Sequence, residues 1–171
     1  MSREIVVVDT ETTKLTPDAV VLEIAALNMT TGEEFRAVPY VTAQQLVNAD
    51  PEALAINRYY ERRVFADMLE DSAANNNAFA WLRTMLDGKT FAGCNPAFDS
   101  PFIVKLIGGQ VYHHRLWDLS AYAAGVLGLD ELPGLHKVCE LLGVENEDEH
   151  SALGDVRATA ECFRRLINRE R

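Results

Sequence analysis

Four consecutive β-branched residues, Ile5 to Val8, run directly into Asp9, Thr10 and Glu11. A short continuous apolar run reads as a strand covered on both faces, which calls for layers packed above and below it. Residues i and i+2 of a strand point to the same side, so Asp9 and Glu11 project together at or just past the strand's end. Like charges placed side by side repel, and each raises the pKa of the other. The pair is costly unless a cation sits between the two, which points to a hard divalent ion such as magnesium or manganese. Taken alone, the segment fits two solvated acids in a turn after a strand at least as well.

A chain of 171 residues suits one domain with a substantial core, here spanning 1–171. No apolar run approaches the roughly 18 residues of a membrane span. The first strand starts too near the N-terminus to leave room for a signal peptide. Cys94, Cys139 and Cys162 lack a metal-type spacing and read as reduced thiols of a cytoplasmic protein. The net charge of −10 argues against coating duplex nucleic acid by bulk electrostatics. It leaves open an enzyme that grips one chain end through bound metals.

Residues 20–29 read as a second strand interrupted by Glu23, Thr31-Gly32-Glu33 as a hairpin, and 35–41 as the returning strand. Asp50 and Pro51 open a short helix ending near residue 57. The charged stretch 59–71 reads as loop or short helix. Helical spacing from Ala73 to Leu86 ends at Asp87-Gly88, and 90–93 is a fourth strand. A helix over 100–107 has Asp99 at its head, 111–117 reads as a fifth strand, and 119–127, 135–142 and 152–167 as helices. With no linker or repeat, this order predicts a single α/β domain with a mixed sheet.

Three further residues bear on the acid pair. Asp99 opens a helix, where an acid often serves only as cap or dipole partner. Asp155 falls in the first turn of the last helix, with His150 in the loop before it; a dipole partner and an exposed histidine are the plain alternative. Together they make four carboxylates and one histidine, each at a junction of strand or helix with loop. Two metal ions about 3.5–4 Å apart need several such carboxylates, and a histidine near neutrality can take a proton from the attacking water.

The series Asp9-Thr10-Glu11-Thr12-Thr13, Asn95-x-x-Phe98-Asp99 and His150-x-Ala152-x-x-Asp155 resembles the three motifs of the DEDDh, or DnaQ-like, exonucleases. That group holds the proofreading subunit, ribonuclease T and oligoribonuclease. The resemblance implies a ribonuclease H-like fold, a five-stranded mixed sheet flanked by helices, with strand three antiparallel. It implies metal-dependent 3′→5′ release of nucleoside monophosphates from single-stranded ends, with DNA weighed slightly ahead of RNA. By motif match, Asp9, Glu11, Asp99 and Asp155 would hold two divalent cations, Mg2+ or Mn2+, and His150 would be the general base. The backbone around Thr10 and Thr12 would hold the terminal nucleotide and Leu15 would press on its base. Asn95 and Phe98 would line the same groove. A separate polymerase chain and a second copy of the chain are candidate partners; a membrane is not.

Two positions depart from the family pattern. Lys14 stands where a glycine is usual, restricting the loop and placing a cation near the expected phosphate path. Cys94 stands where a histidine usually precedes the asparagine, a change expected to affect the chemistry little. Tyr59, Tyr60, Arg62 and Arg63 fit either a groove wall or a solvated helix with one buried aromatic. The alternatives to an exonuclease are a catalytically weak nucleic-acid or polymerase-binding module of the same fold, and a metal-dependent phosphatase acting on small molecules.

Overall fold

In the computed structural model, which describes residues 3–169, the opening run forms β1 (Ile5–Thr12). It lies at the centre of a five-stranded sheet of order β3-β2-β1-β4-β5. β2 (Val21–Asn28) pairs antiparallel with β1, and β3 (Glu34–Ala37) pairs antiparallel with β2. β4 (Thr90–Gly93) runs parallel to β1, and β5 (Trp117–Asp118) parallel to β4. The one strand running against the others is therefore β2, not the third strand. Two successive reversals, β1 to β2 and β2 to β3, bring β3 back into the direction of β1.

Side-chain alternation along β1 divides the protein into layers. Val6 and Val8 pack with Phe79, Leu82 and Leu86 of α3 (Ser72–Leu86) and with Phe102 and Ile103 of α4 (Pro96–Leu106). Val7 points the other way. It packs with Leu119 of α5 (Leu119–Leu127), Val138 of α6 (Leu135–Leu142), and Val156 and Phe163 of α7 (Ala152–Arg169). All eight residues of β2 are buried, which places the Glu23 carboxyl among apolar neighbours in the middle of the strand. No helix among the described residues is long and apolar enough to cross a membrane.

Several boundaries differ from expectation. β3 stops at Ala37 rather than 41 because the following backbone finds other partners. The Val38 carbonyl accepts from the Leu69 amide at 2.9 Å, and the Tyr40 amide donates to the Asn75 side chain at 2.7 Å. β5 is two residues rather than 111–117. The Val111 carbonyl accepts from the Gly88 amide at 3.0 Å and the His113 amide donates to Lys89 at 2.8 Å, so this segment follows the turn before β4. Tyr112 is buried there against Phe91, ring centroids 4.7 Å apart. A helix absent from the sequence reading, α1 (Ala43–Val47), is closed by a capping box between Thr42 and Gln45. α2 (Pro51–Ile56) has Asp50 as its cap, as expected. Residues 59–71 form turns and a 3-10 turn over Val64–Asp67. α4 begins at Pro96, not 100, so Asp99 lies within its first turn.

Phe163 ties α7 to the sheet. It is fully buried and its ring centroid lies 4.9 Å from that of Trp117. Phe163→Ala should lower stability by about 3–5 kcal/mol, read as a shifted midpoint in urea denaturation without a change of slope.

Candidate active site

Asp9 and Glu11 leave β1 on the side of Val7, toward α7. Asp155, in the first turn of α7, meets them there: one carboxylate oxygen from each lies within 4.8 Å of the other two. The β1–β2 register shifts between Glu11 and Thr12, an irregularity that re-aims side chains at the strand's end. Asp99 arrives from the opposite layer. Its Oδ1 accepts the Thr10 amide at 3.0 Å and the Thr10 hydroxyl at 2.7 Å. The expected four carboxylates thus divide into a group of three and one neighbour. Alternation explains the division, since Thr10 points toward α4 while Asp9 and Glu11 point toward α7.

Burial in this acidic surround raises every one of the four pKa values. Asp9 sits well above the usual carboxylate range, through burial first and then the charges of Asp99, Glu11, Asp155 and Glu23. Glu11 is pushed up to about 8 by burial, Asp155 and Glu23, with Arg62 pulling the other way. Asp99 is pushed up to about 7 by burial, against the two hydrogen bonds from Thr10. Asp155 is raised by burial, opposed by Asn146, whose Nδ2 donates to its Oδ1 at 2.7 Å, and by His150. The donors are all carboxylate oxygens in a low-dielectric place, the set that a hard divalent cation accepts.

His150 occupies a left-handed turn, φ 63°, immediately before α7. Its ring is exposed and lies outside the three-carboxylate group. Ser151 closes the turn, its Oγ accepting the Gly154 amide at 3.0 Å. A side chain at Gly154 would collide with the Asp148 carbonyl, so glycine lets the loop press onto α7.

The other expected site residues have mixed placements. The Thr10 amide is committed to Asp99, as above. Thr12 is buried, its hydroxyl donating to the Lys14 carbonyl at 2.8 Å and its own carbonyl accepting from Asn57 at 3.3 Å. Leu15 is 82% exposed. With Phe98, Phe102 and Lys105 it helps to line a shallow hollow of about 210 Å3. Asn95 starts α4 in a left-handed conformation, φ 61°, its amide donating to Asp118 at 3.3 Å.

Lys14 does not stand free: its Nζ is 2.6 Å from Asp18. That contact and a hydrogen bond from Thr16 hold Asp18 down to about 2. Cys94, whose Sγ lies 3.3 Å from the Ser120 hydroxyl, is pushed up to about 11 by burial, against that contact. It stays a thiol beside the acids.

Three residues near the site make contacts that the sequence did not reveal. Glu23, 1% exposed, lies directly across from Glu11 and is held by Arg36 at 2.8 Å and Arg62 at 2.9 Å. An acid inside a β-rich run was the available signal. Arg62 stood among the candidates for a groove wall or a solvated helix, and Asn146 only as a polar residue in an acidic loop. Tyr59 is the buried aromatic of its segment.

The family model described as "Exonuclease" (RNase_T) matches residues 6–163. The chain is 29% identical over 170 residues to a DNA polymerase III subunit epsilon-like protein of Rhodobacter capsulatus, covering 95% of this chain and 23% of that protein. It is 28% identical over 187 residues to ribonuclease T of Yersinia pseudotuberculosis, covering 96% of this chain and 84% of that one. Among solved structures, product-bound exonuclease I superposes with a TM-score of 0.75 at 17% identity, over 99% of this chain and 44% of that one. E. coli exonuclease I in complex with a dT13 oligonucleotide gives 0.73 at 18%, over 98% and 41%. These structures share the ribonuclease H-like fold, and the chain spans under half the length of each.

The raised carboxylates fix the sign of the pH dependence without added cations. Between their unfolded values near 4 and the folded values of about 7 for Asp99 and 8 for Glu11, the folded state binds more protons than the unfolded one. Stability therefore falls as pH rises through that window. Thermal melts in chelator should show Tm dropping by about 5 °C between pH 5 and pH 8.5, a drop that Glu11→Gln reduces.

Proposed function

The chain belongs to the exonuclease family, and from the site geometry we infer that it is a metal-dependent nuclease removing nucleoside monophosphates from the 3′ end of single-stranded nucleic acid. The observation that carries this reading is the meeting of half-buried Asp9 and Glu11 with buried Asp155, with Asp99 and His150 beside it. Groups that repel each other so strongly gain most from a cation, and the reaction class that uses such a cage is phosphodiester hydrolysis.

Asp9, Glu11, Asp99 and Asp155 are the residues that would hold divalent cations, magnesium or manganese. When bound, these ions lower the pKa of water and stabilise the negative charge that develops on the phosphodiester oxygens. Thr10 holds one oxygen of Asp99 through two hydrogen bonds, which fixes that carboxylate. Asn146 holds Asp155 through one. His150, exposed on its turn, is the base that takes the proton of the attacking water. Leu15 and Phe98 present an apolar shelf for the terminal base, with Lys105 at its edge for a backbone phosphate, the pairing of stacking and charge that single strands use. Thr12 fixes the loop carrying Leu15, and Asn95 sets the start of α4. The whole of 1–171 serves this one activity.

DNA stands slightly ahead of RNA as substrate. The similar fold of exonuclease I is recorded with DNA oligonucleotides, while the likeness to ribonuclease T keeps RNA in the test. The relative named for a polymerase III epsilon subunit supports a separate polymerase chain as partner.

Incubation with 5′-labelled single-stranded DNA and RNA in Mn2+ should give a ladder that shortens from the 3′ end. Internal cuts, or shortening from the 5′ end, would overturn the reading. His150→Ala should lower kcat about 100-fold or more while calorimetry shows Mn2+ binding retained. Asp9→Asn should lose both activity and tight Mn2+ binding.

A further inference from the structure

Arg62 joins three parts of the chain that lie far apart in sequence. Its Nη1 donates to the main-chain carbonyls of Asn57 at 3.0 Å and of His150 at 2.9 Å. Its Nη2 donates to Glu23 Oε2 at 2.9 Å, and its Nε lies 3.8 Å from Asp148. The side chain is only 12% exposed. A planar guanidinium can serve several acceptors in a fixed fork; an ammonium on a flexible stem cannot.

The acceptor of most interest is the His150 carbonyl. The His150 ring is exposed, so its place is set by the main chain that carries it. Against α7 that main chain is fixed by the Ser151 cap and by the close approach of Gly154 to Asp148. On the other side, Arg62 anchors it to Glu23. Glu23 in turn sits across the β1–β2 ladder from Glu11. The histidine turn is thereby tied to the strand pair that carries two of the carboxylates.

Neutralising a buried glutamate does not account for this geometry. Arg36 already donates to the other Glu23 oxygen at 2.8 Å and is itself steadied by Asp67 at 2.9 Å. Arg62 spends one nitrogen on Glu23 and turns another toward two carbonyls.

We propose that Arg62 is a positioning residue: its guanidinium clamps the His150 turn to Glu23 and so holds the imidazole in register with the carboxylate group. This rests on His150 being the base, as proposed above. Loss of the clamp should slow the chemical step without weakening substrate or cation binding, because a base displaced by about an ångström loses most of its advantage.

Arg62→Lys keeps a charge for Glu23 but loses the fork. It should lower kcat about tenfold, with KM and Mn2+ affinity within about twofold of the parent, and should speed amide hydrogen exchange at residues 149–151. In a His150→Ala background the same change should have no further effect on kcat. Arg36→Lys, which loosens Glu23 from its other side without touching the turn, should leave kcat and that exchange unaltered. The proposal falls if Arg62→Lys lowers kcat by the same factor with and without His150, if Arg36→Lys matches it, or if exchange at 149–151 does not change. A His150→Ala enzyme with parental kcat would instead overturn the assignment of the base, and the clamp's catalytic purpose with it.

Discussion

Carboxylates brought within 4.8 Å of one another where solvent reaches only in part repel, and everything around them in this fold either enforces or relieves that repulsion. β1 enforces it, because a strand has no choice but to put residues 9 and 11 on one side. α7 enforces it again, because the helix that covers that side of the sheet begins with Asp155 in its first turn. The relief within the protein is partial. Hydrogen bonds from Thr10 and Asn146 and the charge of Arg62 oppose the rise in pKa but do not cancel it. A fold that keeps such a cluster keeps it for a ligand of opposite charge, and the all-oxygen donor set selects a hard divalent ion.

The opposition between layers gives the site its shape. α4 delivers Asp99 from one face of the sheet and α7 delivers Asp155 from the other, so acids from both layers flank the end of the central strand. His150 enters from neither layer but on a turn with a positive φ, tied back to β2 through Arg62 and Glu23. The His150 turn is therefore tied to the strand pair as well as to α7, which follows it in sequence. The loop after β1 sits at the rim, where Leu15 is open to solvent and Lys14 is already paired with Asp18. A strand's phosphate would have to compete with Asp18 for that cation, which offsets part of what a lysine in place of glycine would otherwise add.

Much of this was legible in the sequence, and for identifiable reasons. The run Ile5–Val8 gave the central strand because nothing else suits four β-branched residues in a row. Helix limits at 119–127 and 135–142 matched because caps such as Asp118 and Gly143 act locally. What failed was decided by distant partners. Residues 111–113 have strand-like composition but lie along the turn before β4. β3 stops early because 69 and 75 compete for its backbone. The antiparallel strand was misplaced because direction follows from two successive pairings, not from any one segment. In the site, spacing put Asp9 and Glu11 on one side of β1, the motif resemblance joined Asp99 and Asp155 to them, and the structure brings Asp155 to the pair. The Glu23–Arg62 clamp was not legible, because its members are 39 residues apart and mean something only once the sheet has formed.

Burial and mutual repulsion favour the protonated acids, so a divalent cation that takes the cluster must displace protons. Calorimetric titration with Mn2+ at pH 7, repeated in buffers of different ionisation enthalpy, measures both binding and the protons released. Tight binding accompanied by net proton release is expected, with both diminished in Glu11→Gln. Binding with no proton release, or no binding at all, would contradict this expectation.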